Sequence, residues 1–110
     1  MSLFGSNGKI SGFVIQKASG DPAIGVNIVI VDSYLGAATD ENGRFTILNV
    51  PPGTYTLRAD AIGFAPVVVQ NVRVTTSQTT EITIKLEEAV VEGQEVNVIA
   101  ERPLVQKDLT

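Results

Sequence analysis

Asp40-Glu41-Asn42 sets three oxygen-bearing side chains in a row. Hard cations such as Ca²⁺ take oxygen ligands, so the triplet has the right chemistry for one. No bidentate Glu follows at the EF-hand distance, and Asp and Asn are the residues a tight turn wants before Gly43. The triplet reads as a turn, and no metal site is assigned. Asp21, Asp32 and Asp60 are single carboxylates beside loops. Hydrolytic acid–base work needs two carboxylates about 5–10 Å apart, and the spacing brings no two of these together. Ser11, Ser19, Ser33 and Ser77 have no His anywhere in the chain to activate them. No catalytic residue and no cofactor is assigned.

Phe13, Tyr34, Phe45, Tyr55 and Phe64 carry rings that could stack on a sugar face. Phe45 and Tyr55 fall at core-facing positions, however. Tyr34 is left as the loop aromatic, and the chain has no Trp. The run Glu95, Val96, Asn97, Val98, Ile99 and Ala100 is more suggestive. A short alternating segment between polar residues can add a strand to a partner's sheet edge, with backbone hydrogen bonds for affinity and side chains for specificity. It can equally be the last strand of the same domain, or a linker. The residues alone leave these open.

The elements that position such residues are strands. The chain has 110 residues, 44% hydrophobic and 18% charged, the size of one domain with one core. Val, Ile and Thr dominate, and these suit a pleated surface. The net charge is -4, and the basic residues are scattered singly, which argues against nucleic acid. There is no Cys, so disulfides and thiolate metal sites are excluded. No apolar run approaches the roughly 18 residues that span a bilayer. Met1-Ser2-Leu3 and the abrupt close at Lys107–Thr110 read as the ends of a piece cut from something longer.

In order, the expected strands are 9–17, 24–32, a short edge at 37–39, then 44–50, 54–61, 67–74 and 81–86. Ile10, Gly12 and Val14 share one face of the first. Phe13 and Ile15 share the other, so cover on both sides or a place at a sheet corner is expected, with Gly12 marking a close approach or a bulge. Asn42-Gly43 favours a tight hairpin. Pro51-Pro52-Gly53 ends one strand and sets the next. From there Tyr55, Leu57, Ala59 and Ala61 alternate against Thr54, Thr56, Arg58 and Asp60. Gln70-Asn71 breaks the alternation of its strand, as a bulge or a bend between two short strands would. No segment has helical periodicity.

The expected fold is therefore all-β, a Greek-key sandwich of about seven strands with an extended C-terminal tail or an added strand. Residues 1–7 form a lead-in, 8–87 the sandwich and 88–110 a linker segment.

Ile10-Ser11-Gly12-Phe13-Val14, Ile24-Gly25-Val26-Asn27-Ile28, Thr39-Asp40-Glu41-Asn42-Gly43-Arg44-Phe45, Val50-Pro51-Pro52-Gly53-Thr54-Tyr55 and Ile62-Gly63-Phe64 together resemble the carboxypeptidase regulatory-like domain. That resemblance implies a transthyretin-like (prealbumin-like) β-sandwich without catalysis. Such domains stand behind metallocarboxypeptidases, and at the N-terminus of TonB-dependent outer-membrane receptors. The stretch from Glu95 to Leu104 resembles the junction in those receptors, where a TonB-box-like strand leads to the plug, with Ile99 in place of the usual Thr. It implies an accessory domain on the periplasmic face of the outer membrane. Its partner would be a TonB-like protein or the receptor's own plug, met through Glu95–Ala100. A strand-swapped homodimer is a further expectation for an excised piece. The alternatives are a structural domain of a secreted metallocarboxypeptidase and a carbohydrate-binding module. The hydroxyisourate hydrolases of this fold rely on His residues and a C-terminal Tyr-Arg-Gly-Ser that the chain does not have.

Overall fold

Alternation of apolar and polar residues decides what each strand buries. In the computed structural model, which describes residues 7–89 and 95–100, β1 (Gly8–Gln16) buries Ile10 and Val14, and β4 (Arg44–Val50) buries Phe45 and Ile47. β7 (Thr79–Leu86) adds Ile84 and Leu86. These three form one sheet in the order β4-β1-β7, with β1 antiparallel to β4 and parallel to β7. The facing sheet has the order β3-β2-β5-β6-β8. Its members are β2 (Asn27–Ile30), β3 (Gly36–Ala38), β5 (Gly53–Asp60), β6 (Val67–Val74) and β8 (Val96–Ile99). Ile28, Ile30, Leu57, Ala59, Val67, Val69 and Val72 point inward from it to complete the core. Each such Val, Leu or Ile side chain contributes about 1.5–3 kcal/mol by leaving water. The described residues contain no helix, and the expected all-β sandwich with an added strand is what forms.

Two bulges let the alternation reset. Tyr55 faces Val72 while Leu57 faces Val69, so β6 carries one extra residue between these pairs. Asn71 absorbs it with φ of 63°. Both Val69 and Val72 are thereby buried, and Gln70-Asn71 is the expected bulge. A second bulge lies in β4, where Gly8 faces Val50 but Ile10 faces Ile47. Asn49, at φ 59°, turns Val50 back into the core.

Three details depart from the sequence reading. The strand expected over 24–32 is confined to Asn27–Ile30. Before it, the Gly25 N–H donates to the Thr39 carbonyl and the Val26 N–H to Thr39 Oγ1, so these groups serve a turn rather than a ladder. Asn42-Gly43 makes a tight turn, but it joins β3 to β4, which belong to different sheets, so no hairpin ladder follows it. The outer face of β1 is covered only in part, with Ser11 buried and Ile15 half-buried. Phe13 is 40% exposed, with the Arg44 guanidinium stacked over its ring at 5.1 Å. Gly12 does mark a close approach, since a Cβ there would lie 1.9 Å from the Ile82 carbonyl oxygen.

Candidate functional site

The run Glu95–Ala100 carries β8 (Val96–Ile99), which forms the edge of the five-stranded sheet. It lies parallel to β6, with Val67 facing Val96, Val68 facing Asn97, Val69 facing Val98 and Gln70 facing Ile99. At its ends the Val96 N–H donates to the Pro66 carbonyl at 2.8 Å and the Ala100 N–H to the Gln70 carbonyl at 2.7 Å. Backbone groups alternate sides along a strand. Residues 96, 98 and 100 thus bond inward to β6. The N–H and C=O groups of Asn97 and Ile99 point outward, along the free edge.

Arg58 pins the start of this strand. It sits on the outer face of β5, one strand beyond β6. Its Nη1 donates to Glu95 Oε2 at 2.7 Å and its Nε to Asp60 Oδ2 at 3.2 Å. Glu95 first, and Asp60 second, hold the guanidinium still more firmly in its charged form. The contact ties together strands whose residues lie 37 positions apart.

Beside the free edge, a groove of about 460 Å³ runs between the two sheets toward β7. Val67, Val69, Ile82, Ile84, Val96 and Val98 give it an apolar floor. Val98 is 42% and Ile99 57% exposed, one toward the groove and the other on the outer face. Lys17 and Glu87, paired at 3.2 Å, line the same groove.

The other candidate residues do not converge. Asp40 is occupied as a turn former, its Oδ1 accepting from the Arg44 and Asn42 N–H groups at 2.9 Å each. Those two bonds, Arg44 first, lower its pKa below the ordinary 3.8. Asp60 is bound to Arg58. Among the described residues no three carboxylates gather as a metal site requires. Ser11 Oγ lies 3.5 Å from Thr46 Oγ1. Ser19 Oγ accepts from the Asp21 N–H, and Ser33 Oγ donates to the Ile30 carbonyl while accepting from the Leu35 N–H. Tyr34 stands fully exposed, Phe45 is buried, and the Tyr55 hydroxyl donates to the Pro51 carbonyl, so the rings form no platform. Sequence reasoning passed over Arg58, placing it simply on the wet face of its strand. Its one local signal is Asp60, two residues on and on the same face.

Comparison with known proteins follows the fold. A chain of a type II cohesin–X-dockerin complex from Acetivibrio cellulolyticus, a C-terminal interface mutant, superposes with a TM-score of 0.65 at 24% identity, covering 80% of this chain and 64% of that one. A chain of the N-terminal interface mutant of that complex gives 0.61 at 26% identity, with 74% and 58% covered. GBS52, the minor pilin of Streptococcus agalactiae, gives 0.57 at 16%, with 81% and 48% covered. The chain thus spans less than two thirds of each, and the likeness is one of fold. No curated protein matches. The model of the carboxypeptidase regulatory-like domain matches residues 9–87, so the chain belongs to the carboxypeptidase regulatory-like domain family.

Proposed function

We propose that the domain is a non-catalytic accessory module on the periplasmic side of a TonB-dependent outer-membrane receptor. It acts by adding the free edge of β8 to a strand of a TonB-like protein or of the receptor's own plug. The observation that carries this reading is the open edge itself. Among the described residues no strand pairs with the outward backbone groups of Asn97 and Ile99, which lie beside the exposed side chains of Val98 and Ile99. An incoming strand would satisfy those groups and cover the apolar groove. Family membership supports an accessory role, and the resemblance of Glu95–Leu104 to a receptor junction supports the receptor.

Titration against a TonB C-terminal domain tests the reading. The expected result is saturable binding that Ile99→Pro abolishes, because that residue's N–H faces the free edge. No binding, or binding that Ile99→Pro leaves intact, would rule it out. Val98→Pro is the wrong probe on its own, since it removes a donor to β6 and unseats the strand.

A further inference from the structure

β8 contributes no buried side chain: Val96 is half-buried, and Asn97, Val98 and Ile99 are exposed. The core is closed by β1–β7, and the family match ends at residue 87. What holds β8 is a short parallel ladder to β6, the partial packing of Val96 and Ala100 on the core, and one solvent-exposed ion pair from Arg58. Beneath it, β6 offers the carbonyl of Pro66 and the backbone groups of Val68 and Gln70 as a seat for an extended segment.

We propose that this edge of β6 is a strand-docking seat, filled here by the chain's own β8, and that Glu95–Ala100 of a second copy replaces it. The product is a reciprocally exchanged dimer in which each Arg58 clamps Glu95 of the other copy. The occupant follows from the seat. The segment seen to fit it is Glu95–Ala100, with its ladder register and its ion pair, and every copy of the chain carries that segment. Exchange regains each contact it breaks, so its cost is association and the release of a strand whose packing on the core is confined to the half-buried Val96 and Ala100. Mass action then favours the dimer as concentration rises. This interface uses the inward groups of residues 96, 98 and 100. It is independent of the outward edge assigned to the receptor partner.

The chain has no native Cys, so a disulfide trap reads the exchange directly. Val68 and Asn97 are register partners on the outer face. A Val68→Cys chain is mixed with an Asn97→Cys chain at high concentration in a glutathione redox buffer. Random encounters make the hetero-linked product equal to the two self-linked products together. The expected result is a several-fold excess of the hetero-linked product, while the double variant oxidised at low concentration closes within one chain as a monomer and at high concentration is trapped as a covalent dimer. A hetero-linked yield at or below the statistical one overturns the proposal. Gln70→Cys with Ile99→Cys replaces the pair if Val68→Cys does not fold. Light scattering on the unmodified chain gives a second reading. Dimer rising with concentration is expected, lost in Val98→Pro and retained in Ile99→Pro, and a monomer at every concentration overturns the proposal. Ile99→Pro thus separates failure here from failure of receptor-partner binding.

Discussion

Arg58 on β5 reaches over the width of β6 to Glu95, its Nη1 at 2.7 Å from Oε2. Both side chains are more than a third exposed, at 38% and 40%. An ion pair in that setting adds only about 0–1 kcal/mol to global stability. Its local effect is larger, because β8 has no buried side chain to hold it. Arg58→Gln is therefore expected to leave the free energy of urea unfolding within about 1 kcal/mol of the parent. Hydrogen exchange at the Val96, Val98 and Ala100 amides should rise in the same variant, and the paired reversal Arg58→Glu with Glu95→Arg should restore protection. Unchanged exchange at those three amides would show that the ladder alone seats the strand.

Thr39 ties the turn at 23–26 to the strand junction before β4. Its hydroxyl donates to the Ala23 carbonyl at 2.6 Å and accepts from the Val26 N–H at 2.9 Å, inside the protein. Thr39→Val keeps the shape but leaves both backbone groups without their partner. The expected loss is about 1–3 kcal/mol by urea unfolding, the cost of stranding buried polar groups. Thr39→Ser keeps the hydroxyl and should lose less. Equal losses in the two would assign the effect to packing of the methyl group instead.

The core was legible because alternation is a local signal. Ile10 and Val14, Phe45 and Ile47, Leu57 and Ala59 all bury the face that their spacing assigns. The break at Gln70-Asn71 also announced the bulge. Strand partners were less legible, because alternation tells which face a residue takes and not which strand lies alongside. Asn42-Gly43 has the residues of a hairpin turn, yet it crosses between sheets. The seat of Glu95–Ala100 on β6 and the Arg58 clamp are set by tertiary pairing, across 37 residues for the clamp. The direction of each β8 amide follows from that pairing, and only then is the right proline probe known.

Gly12 lies where β1 crosses closest to β7. An added Cβ would sit 1.9 Å from the Ile82 carbonyl oxygen, which is backbone and cannot swing aside. Gly12→Ala must push the central strand β1 and the edge strand β7 of that sheet apart. The expected loss is at or above the upper end of the about 1–3 kcal/mol typical of overpacking. Gly25→Ala is the comparison. Its Cβ meets nothing within 4 Å, so the cost there is the positive φ of 73° alone, about 1–2 kcal/mol. A smaller loss at Gly12 than at Gly25 in urea unfolding would mean that β1 and β7 separate easily.

Asp40 gives the turn a pH dependence of known sign. Its carboxylate accepts from the Arg44 and Asn42 amides, and its folded pKa lies below the ordinary 3.8. The unfolded chain binds the proton more readily, so stability rises with pH through this window. The contribution is complete above the ordinary carboxylate value and drains away as pH falls through the folded one. Asp40→Asn keeps an acceptor oxygen but removes the charge. The stability gap between parent and variant should be constant near neutrality, where the chain has no His to titrate. It should narrow as the pH falls below about 4. Urea midpoints at a series of pH values measure that gap directly, and a gap unchanged into acid would mean that charge adds nothing to the two amide bonds.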